Sequence, residues 1–168
     1  NQNTYSMRLN SHRSSCQWHT GMPCSYKTFW KGHRMLTGRC YCGELKYKVE
    51  GDPVTKGNCH CRECQYISGG QPNAFMVMPD AGFEYTQGTP KTFTRSDLEK
   101  PRTREFCGNC GTHILTRSEF RPGAVVLKVG TLDDPSVFNK PDMAIFTVDK
   151  QSFHHLHDDV PAFERMPG

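Results

Sequence analysis

The stretch Cys59-His60-Cys61-Arg62-Glu63-Cys64 places three thiols within six residues. A tetrahedral Zn²⁺ takes four ligands, and an ion held by three protein groups keeps a position for water or substrate, which is the arrangement of a catalytic site. Four further cysteines form two close pairs, Cys40 and Cys42 as CxC and Cys107 and Cys110 as CxxC. The seven thiols therefore divide as four for one closed, structural site and three for one open site. The 9 cysteines of the whole chain could instead make disulfides. Their number is odd, however, and closely spaced pairs in a chain without a secretory apolar stretch point to metal.

The second cysteine of each pair is followed by glycine, Gly43 and Gly111. In a zinc knuckle the backbone curls so that amides face the thiolates, and the residue after the second ligand often needs φ > 0, which glycine reaches without steric penalty. Both pairs read as knuckles of one site. Cys64 is followed by Gln65, so the central triplet lacks that mark. If Cys59 to Cys61 is extended, both thiols share one face and His60 points to the other. Three thiolates on Zn²⁺ leave a formal charge of about −1, which makes the ion a weak acidifier of water and better suited to capturing a soft thiolate. The other arrangement the triplet allows is a structural site completed by a histidine from elsewhere.

The segments that must position these thiols read as short strands. Leu45, Tyr47 and Val49 alternate with charged residues and stop at Gly51-Asp52-Pro53, the pattern of a half-buried strand. Further strands are expected at Ala74–Met78, Phe83–Thr86, Lys91–Thr94, Arg102–Phe106, His113–Thr116, Ala124–Val129 and Ala144–Val148, separated by turn signals such as Arg121-Pro122-Gly123. Helix is expected only at Arg62–Ile67 and as a turn near Asp133–Val137.

With 35% hydrophobic and 23% charged residues in 168, the chain suffices for one domain whose core needs help from something besides apolar burial. Residues 1–34 carry Arg8, Arg13, Lys27, Lys31 and Arg34 and no Asp or Glu. The whole excess of 21 basic over 17 acidic side chains thus belongs to this segment. It lacks any helical or strand period and reads as a leader, non-native or targeting, ahead of a domain over residues 35–168. Cys16 and Cys24 within it have no partner at ligand spacing and are expected to be free thiols. The near-neutral domain argues against a nucleic-acid partner. The lack of a long apolar run argues against a membrane span, so a soluble, cytoplasmic protein is expected.

Several motifs together resemble one family. These are Gly38-Arg39-Cys40-Tyr41-Cys42-Gly43, Cys59-His60-Cys61-Arg62-Glu63-Cys64, Arg104-Glu105-Phe106-Cys107-Gly108-Asn109-Cys110-Gly111-Thr112, Gly130-Thr131-Leu132-Asp133-Asp134 and a Pro161-Ala162-Phe163 ending. Over about residues 37–168 the chain resembles the glutathione-dependent formaldehyde-activating enzymes, a family that also includes centromere protein V. The resemblance implies an all-β, zinc-stabilised β-tent of short antiparallel strands. It implies two Zn²⁺ per chain: a structural zinc on Cys40, Cys42, Cys107 and Cys110, and a catalytic zinc on Cys59, Cys61 and Cys64. It also implies a carbon–sulfur lyase forming S-hydroxymethylglutathione from a thiol, glutathione, and an aldehyde, formaldehyde. A zinc-stabilised binding module with nuclear or cytoskeletal roles is the alternative.

Many relatives carry basic residues where this chain has Gln65-Tyr66, and Phe153 stands where an aromatic Trp is often found. The groups left to meet a substrate carboxylate are Arg62, Arg39, Arg95, Arg102 and Arg104. His113 reads as a structural histidine before a proton shuttle. Phe153-His154-His155-Leu156-His157-Asp158-Asp159 reads as a solvated C-terminal segment, because His154 and His155 would face opposite ways on a strand.

Overall fold

The structure, a computed structural model, describes residues 34–167. The expected leader, with Cys16 and Cys24, lies outside the described residues except for Arg34. In chain order the elements are β1 (Met35–Arg39), β2 (Lys46–Glu50), β3 (Thr55–Cys59), α1 (Arg62–Ile67), β4 (Asn73–Pro79), β5 (Phe83–Gln87), β6 (Lys91–Thr94), β7 (Arg102–Phe106), β8 (His113–Ser118), β9 (Ala124–Lys128) and β10 (Met143–Ile145). Short 3₁₀ turns occupy Asp80–Gly82, Val129–Thr131, Pro135–Phe138 and Thr147–Asp149. No helix among the described residues is long and apolar enough to cross a membrane.

The strands form two sheets, one in the order β1-β2-β5 and one in the order β10-β3-β4-β9-β8-β7-β6. The domain is all-β, as expected from the short alternating runs. Leu36, Tyr47 and Val49 of the small sheet pack with Met76, Met78, Leu115, Val125 and Leu127 of the large sheet in one core. Alternation sends the neighbours of these residues to the opposite face of the large sheet. There Phe75, Val77 and Val126 join Cys59 and Ile145 in a second, smaller cluster. The large sheet is thus a wall between the core and a separate apolar floor, against which Cys59, Cys61 and Cys64 lie.

Three details depart from the sequence expectation. The strand expected over Ala144–Val148 ends at Ile145, because Phe146 takes the left-handed conformation (φ 55°) and breaks the extended run. This short strand runs parallel to β3, so the strands are not all antiparallel. β1 and β3 carry no alternating apolar signal in sequence. In β3 the reason is physical: Gly57 faces Phe75 of β4, and a Cβ at Gly57 would lie 2.8 Å from the Phe75 ring. The partner's aromatic side chain covers the strand, and its own side chains do not.

Candidate metal centres and active-site cavity

The two knuckles meet. Cys40 and Cys42 lie between β1 and β2 of the small sheet, Cys107 and Cys110 between β7 and β8 of the large one, and all four sulfurs lie within 4.8 Å of one another. Cys40 Sγ is 3.5 Å from Cys42 Sγ, which is 3.7 Å from Cys107 Sγ. These are far beyond a disulfide bond. They match the roughly 3.8 Å between two sulfurs on one tetrahedral ion with Zn–S bonds of about 2.3 Å. Gly43 (φ 77°) and Gly111 (φ 74°) both take the left-handed conformation expected of them. Each returns its amide to the carbonyl of the first cysteine, Gly43 to Cys40 at 3.0 Å and Gly111 to Cys107 at 2.9 Å.

Amides and hydroxyls already favour thiolates here. The Leu45 amide donates to Cys40 Sγ at 3.2 Å. Burial opposes the charge at Cys40, but this amide and the neighbouring thiols hold its pKa below the usual thiol value. The Thr112 hydroxyl and amide beside Cys110 bring that thiol down to about 5. Four converging sulfurs form a donor set that could hold a metal ion.

The second cluster is local. Cys59 ends β3, Cys61 is the extended residue before α1 (φ −63°, ψ 153°), and Cys64 lies in the first turn of α1. Their sulfurs also lie within 4.8 Å of one another, and no histidine or carboxylate of the described residues joins them. The site is therefore not completed by a histidine from elsewhere among those residues. Hydrogen bonds from Cys59 and Cys64 push the Cys61 thiol down to about 2, whereas Cys59, on the donating side and buried, is pushed up. The three sulfurs form a set that a divalent ion would complete.

These three cysteines line a cavity of about 660 Å³, and the four knuckle cysteines do not. Its size is within the range of small-molecule sites. The cavity is built on the outer face of the large sheet. Arg104, Thr116, Val126 and Val77 stand opposite one another across β7, β8, β9 and β4, and Lys128 stands opposite Phe75. Ile67, Phe120, Phe146 and Met166 supply further apolar wall.

Buried polar contacts hold the cysteine-bearing turn. His60, 1% exposed, points away from the thiols to His154, with 3.2 Å between their Nδ1 atoms. His154 Nε2 donates to the Gly70 carbonyl at 2.7 Å, which leaves its Nδ1 to accept from His60 and from the Gln151 amide. The expectation of a solvated C-terminal segment therefore fails at His154, which is buried, and holds at His155, His157, Asp158 and Asp159. An alternation argument misses it because the segment is not a strand. Gln65, where the resemblance noted a missing cation, donates to the carbonyls of His60 (2.6 Å) and Asp149 (2.9 Å). It ties α1 to the turn before it and to the C-terminal segment.

Of the five arginines proposed to meet a carboxylate, Arg62, Arg102 and Arg104 line the cavity and Arg39 and Arg95 do not. Arg39 lies beside Asp133 on the small sheet. Glu63 accepts from Arg95 at 2.6 Å and from Arg104, so the charge of Arg104 is already met. Arg62 donates to Gln65 and lies over the Tyr66 ring, and Arg102 lies over the Phe120 ring. His113 is a structural group: its Nε2 lies 2.8 Å from the Leu115 carbonyl, and burial and the nearby Lys128 bring its pKa down to about 3. It is neutral at pH 7 and poorly matched to shuttle protons there. Sequence reasoning missed Arg121, Arg165, Phe146 and Lys128 as cavity residues. For Lys128 a signal existed, since it shares the parity of Val126 within β9.

Fold and site together define a class: an all-β domain whose sheets are joined by a four-thiol cluster, with a three-thiol cluster opening into a cavity, both able to hold a metal ion. The sequence profile of the family described as glutathione-dependent formaldehyde-activating enzyme matches residues 35–149, and the chain belongs to that family. The crystal structure of a protein from Rhodobacter sphaeroides is similar in fold, with a TM-score of 0.51 at 15% sequence identity, covering 63% of this chain and 97% of that one. No curated protein sequence matches the chain.

Proposed function

We propose that the protein is a zinc-dependent carbon–sulfur lyase that interconverts a thiol of the glutathione kind and a small aldehyde of the formaldehyde kind with their S-hydroxymethyl adduct. One observation carries this reading: of two thiol clusters, the three-membered one lines the cavity and the four-membered one does not. Cys40, Cys42, Cys107 and Cys110 are assigned to a structural zinc, and Cys59, Cys61 and Cys64 to a catalytic zinc. When bound at the latter, zinc supplies an open coordination position suited to a soft thiolate.

The chain's own residues then do the rest. Phe75, Val77, Val126 and Ile145 exclude water around the sulfur, which strengthens every electrostatic interaction nearby. The His60–His154–Gly70 contacts and Gln65 keep the cysteine-bearing turn in one geometry. In the forward reaction a thiolate sulfur forms a bond to the carbonyl carbon, the carbonyl π pair moves to oxygen, and that oxygen takes a proton from water. Holding the two reactants together is the main contribution asked of the site.

Formaldehyde consumption with protein and glutathione, measured against glutathione alone, tests the reading. The expected result is a faster rate that depends on the cavity cysteines. No acceleration over the uncatalysed addition would overturn the lyase assignment and leave a zinc-stabilised binding module.

A further inference from the structure

We propose that Lys128 is a specificity-determining residue of the three-cysteine site, the buried positive charge of the cavity wall that makes the site take an anionic ligand in preference to a neutral one. The inference rests on the proposed function, because it names which form of the substrate the site selects.

Three observations lead to it. Strand parity separates β9 into Val125 and Leu127, which enter the main core, and Val126 and Lys128, which face the cavity. Lys128 is 8% exposed, yet among the described residues its ammonium has no carboxylate partner and no hydrogen-bond acceptor. The Lys128 ammonium is not one of the side-chain nitrogens sealed off without a partner, so its charge opens onto the cavity, where a ligand that enters can pair with it. Burial works against the Lys128 charge and lowers its pKa, Cys64, Cys59 and Cys61 favour the charge, and Arg104 opposes it, with His113 nearby. Arg104 is committed to Glu63, and Arg62 to Gln65. Arg102, Arg121 and Arg165 also line the cavity, but they are half-buried or exposed, and Lys128 is the buried cation of that wall, beside the three thiols and whatever ligand enters there.

The selection follows from charge counting. Three thiolates around one divalent ion carry a net charge of about −1 by formal counting. A fourth, anionic ligand raises the repulsion, and a fixed cation in the same low-dielectric wall offsets it. A neutral ligand gains nothing from that cation. The substitution Lys128→Arg keeps the charge, whereas Lys128→Met keeps the length and removes it.

The test uses the metal-loaded protein, with Co²⁺ in place of zinc so that ligand entry is read from the sulfur-to-metal absorption. The probes are glutathione, thiocyanate as a small anion, and imidazole as a neutral ligand. Lys128→Met is expected to weaken glutathione and thiocyanate by at least about tenfold, or about 1.4 kcal/mol. Imidazole affinity should change by less than about twofold, the residual expected of a ligand that does not feel the charge. Lys128→Arg should restore most of the anion affinity. The melting temperature of Lys128→Met should not fall, since a buried unpaired charge is replaced by an apolar group of similar length.

Unchanged anion affinity in Lys128→Met would overturn the proposal, as would equal weakening of all three ligands. If Lys128→Met fails to fold, the arginine variant decides, because anion binding lost despite the retained charge would also contradict it. Thiocyanate binding that depends on Lys128 without any glutathione binding would keep this inference and remove the glutathione reading. Uptake of none of the three probes by the parent protein would overturn both.

Discussion

The four-thiol and three-thiol clusters use the same chemical group to opposite ends. Cys42 and Cys107 are 65 residues apart in sequence and 3.7 Å apart in space, so an ion there joins the small sheet to the large one. Cys59, Cys61 and Cys64 span six residues at one strand end and the start of one helix, so an ion there constrains almost no additional chain. Cys40 and Cys107 are 2% and 0% exposed and do not line the cavity of about 660 Å³ into which the triplet opens. Ligand number, sequence separation and access all change together. Long-range closure marks a site that stabilises the fold, and local closure with an open side marks one free to bind something else.

The comparison breaks most readily at Cys107. Cys107→Ser is expected to unfold the domain, because a structural zinc contributes on the order of 10–16 kcal/mol of apparent binding free energy to a domain stable by only about 5–15 kcal/mol. Circular dichroism and the melting curve check this. A soluble variant melting like the parent would show that the knuckle does not hold the sheets. Cys61→Ser should behave oppositely, keeping the fold with a melting shift of about 5 °C or less. Elemental analysis should find one zinc in place of two, and thiol binding should be lost.

A smaller effect sharpens the contrast. His154→Ala removes the acceptor of His60 and the donor to Gly70, so buried polar groups lose partners at a cost of about 1–3 kcal/mol. The variant should lose its more weakly held metal to a chelator sooner than the parent while keeping the other. Equal loosening of both metals would mean that His154 supports the domain as a whole and not the cavity turn.

Much of this contrast was legible in the sequence because it rests on spacing and on glycine. Gly43 and Gly111 marked the knuckles, and their positive φ angles follow from the curl each loop must make. The strand Lys46–Glu50 was also legible, since Tyr47 and Val49 meet the core while the charged residues between them face outward. What spacing alone could not give was tertiary. β3 was hidden because Phe75 covers Gly57 from the neighbouring strand. His154 was hidden because its partners, His60 and Gly70, are far away in sequence. The arginines could be named but not ranked, because only the folded chain shows that Glu63 engages Arg104 and Arg95.

The most direct test of the four-plus-three division is stepwise chelation of the freshly purified protein, with metal content and melting temperature measured on the same samples. The account predicts two zinc ions per chain. One should leave at low chelator concentration with the fold retained, and the second only together with unfolding. Loss of both ions in a single step, or one ion per chain at the outset, would contradict it.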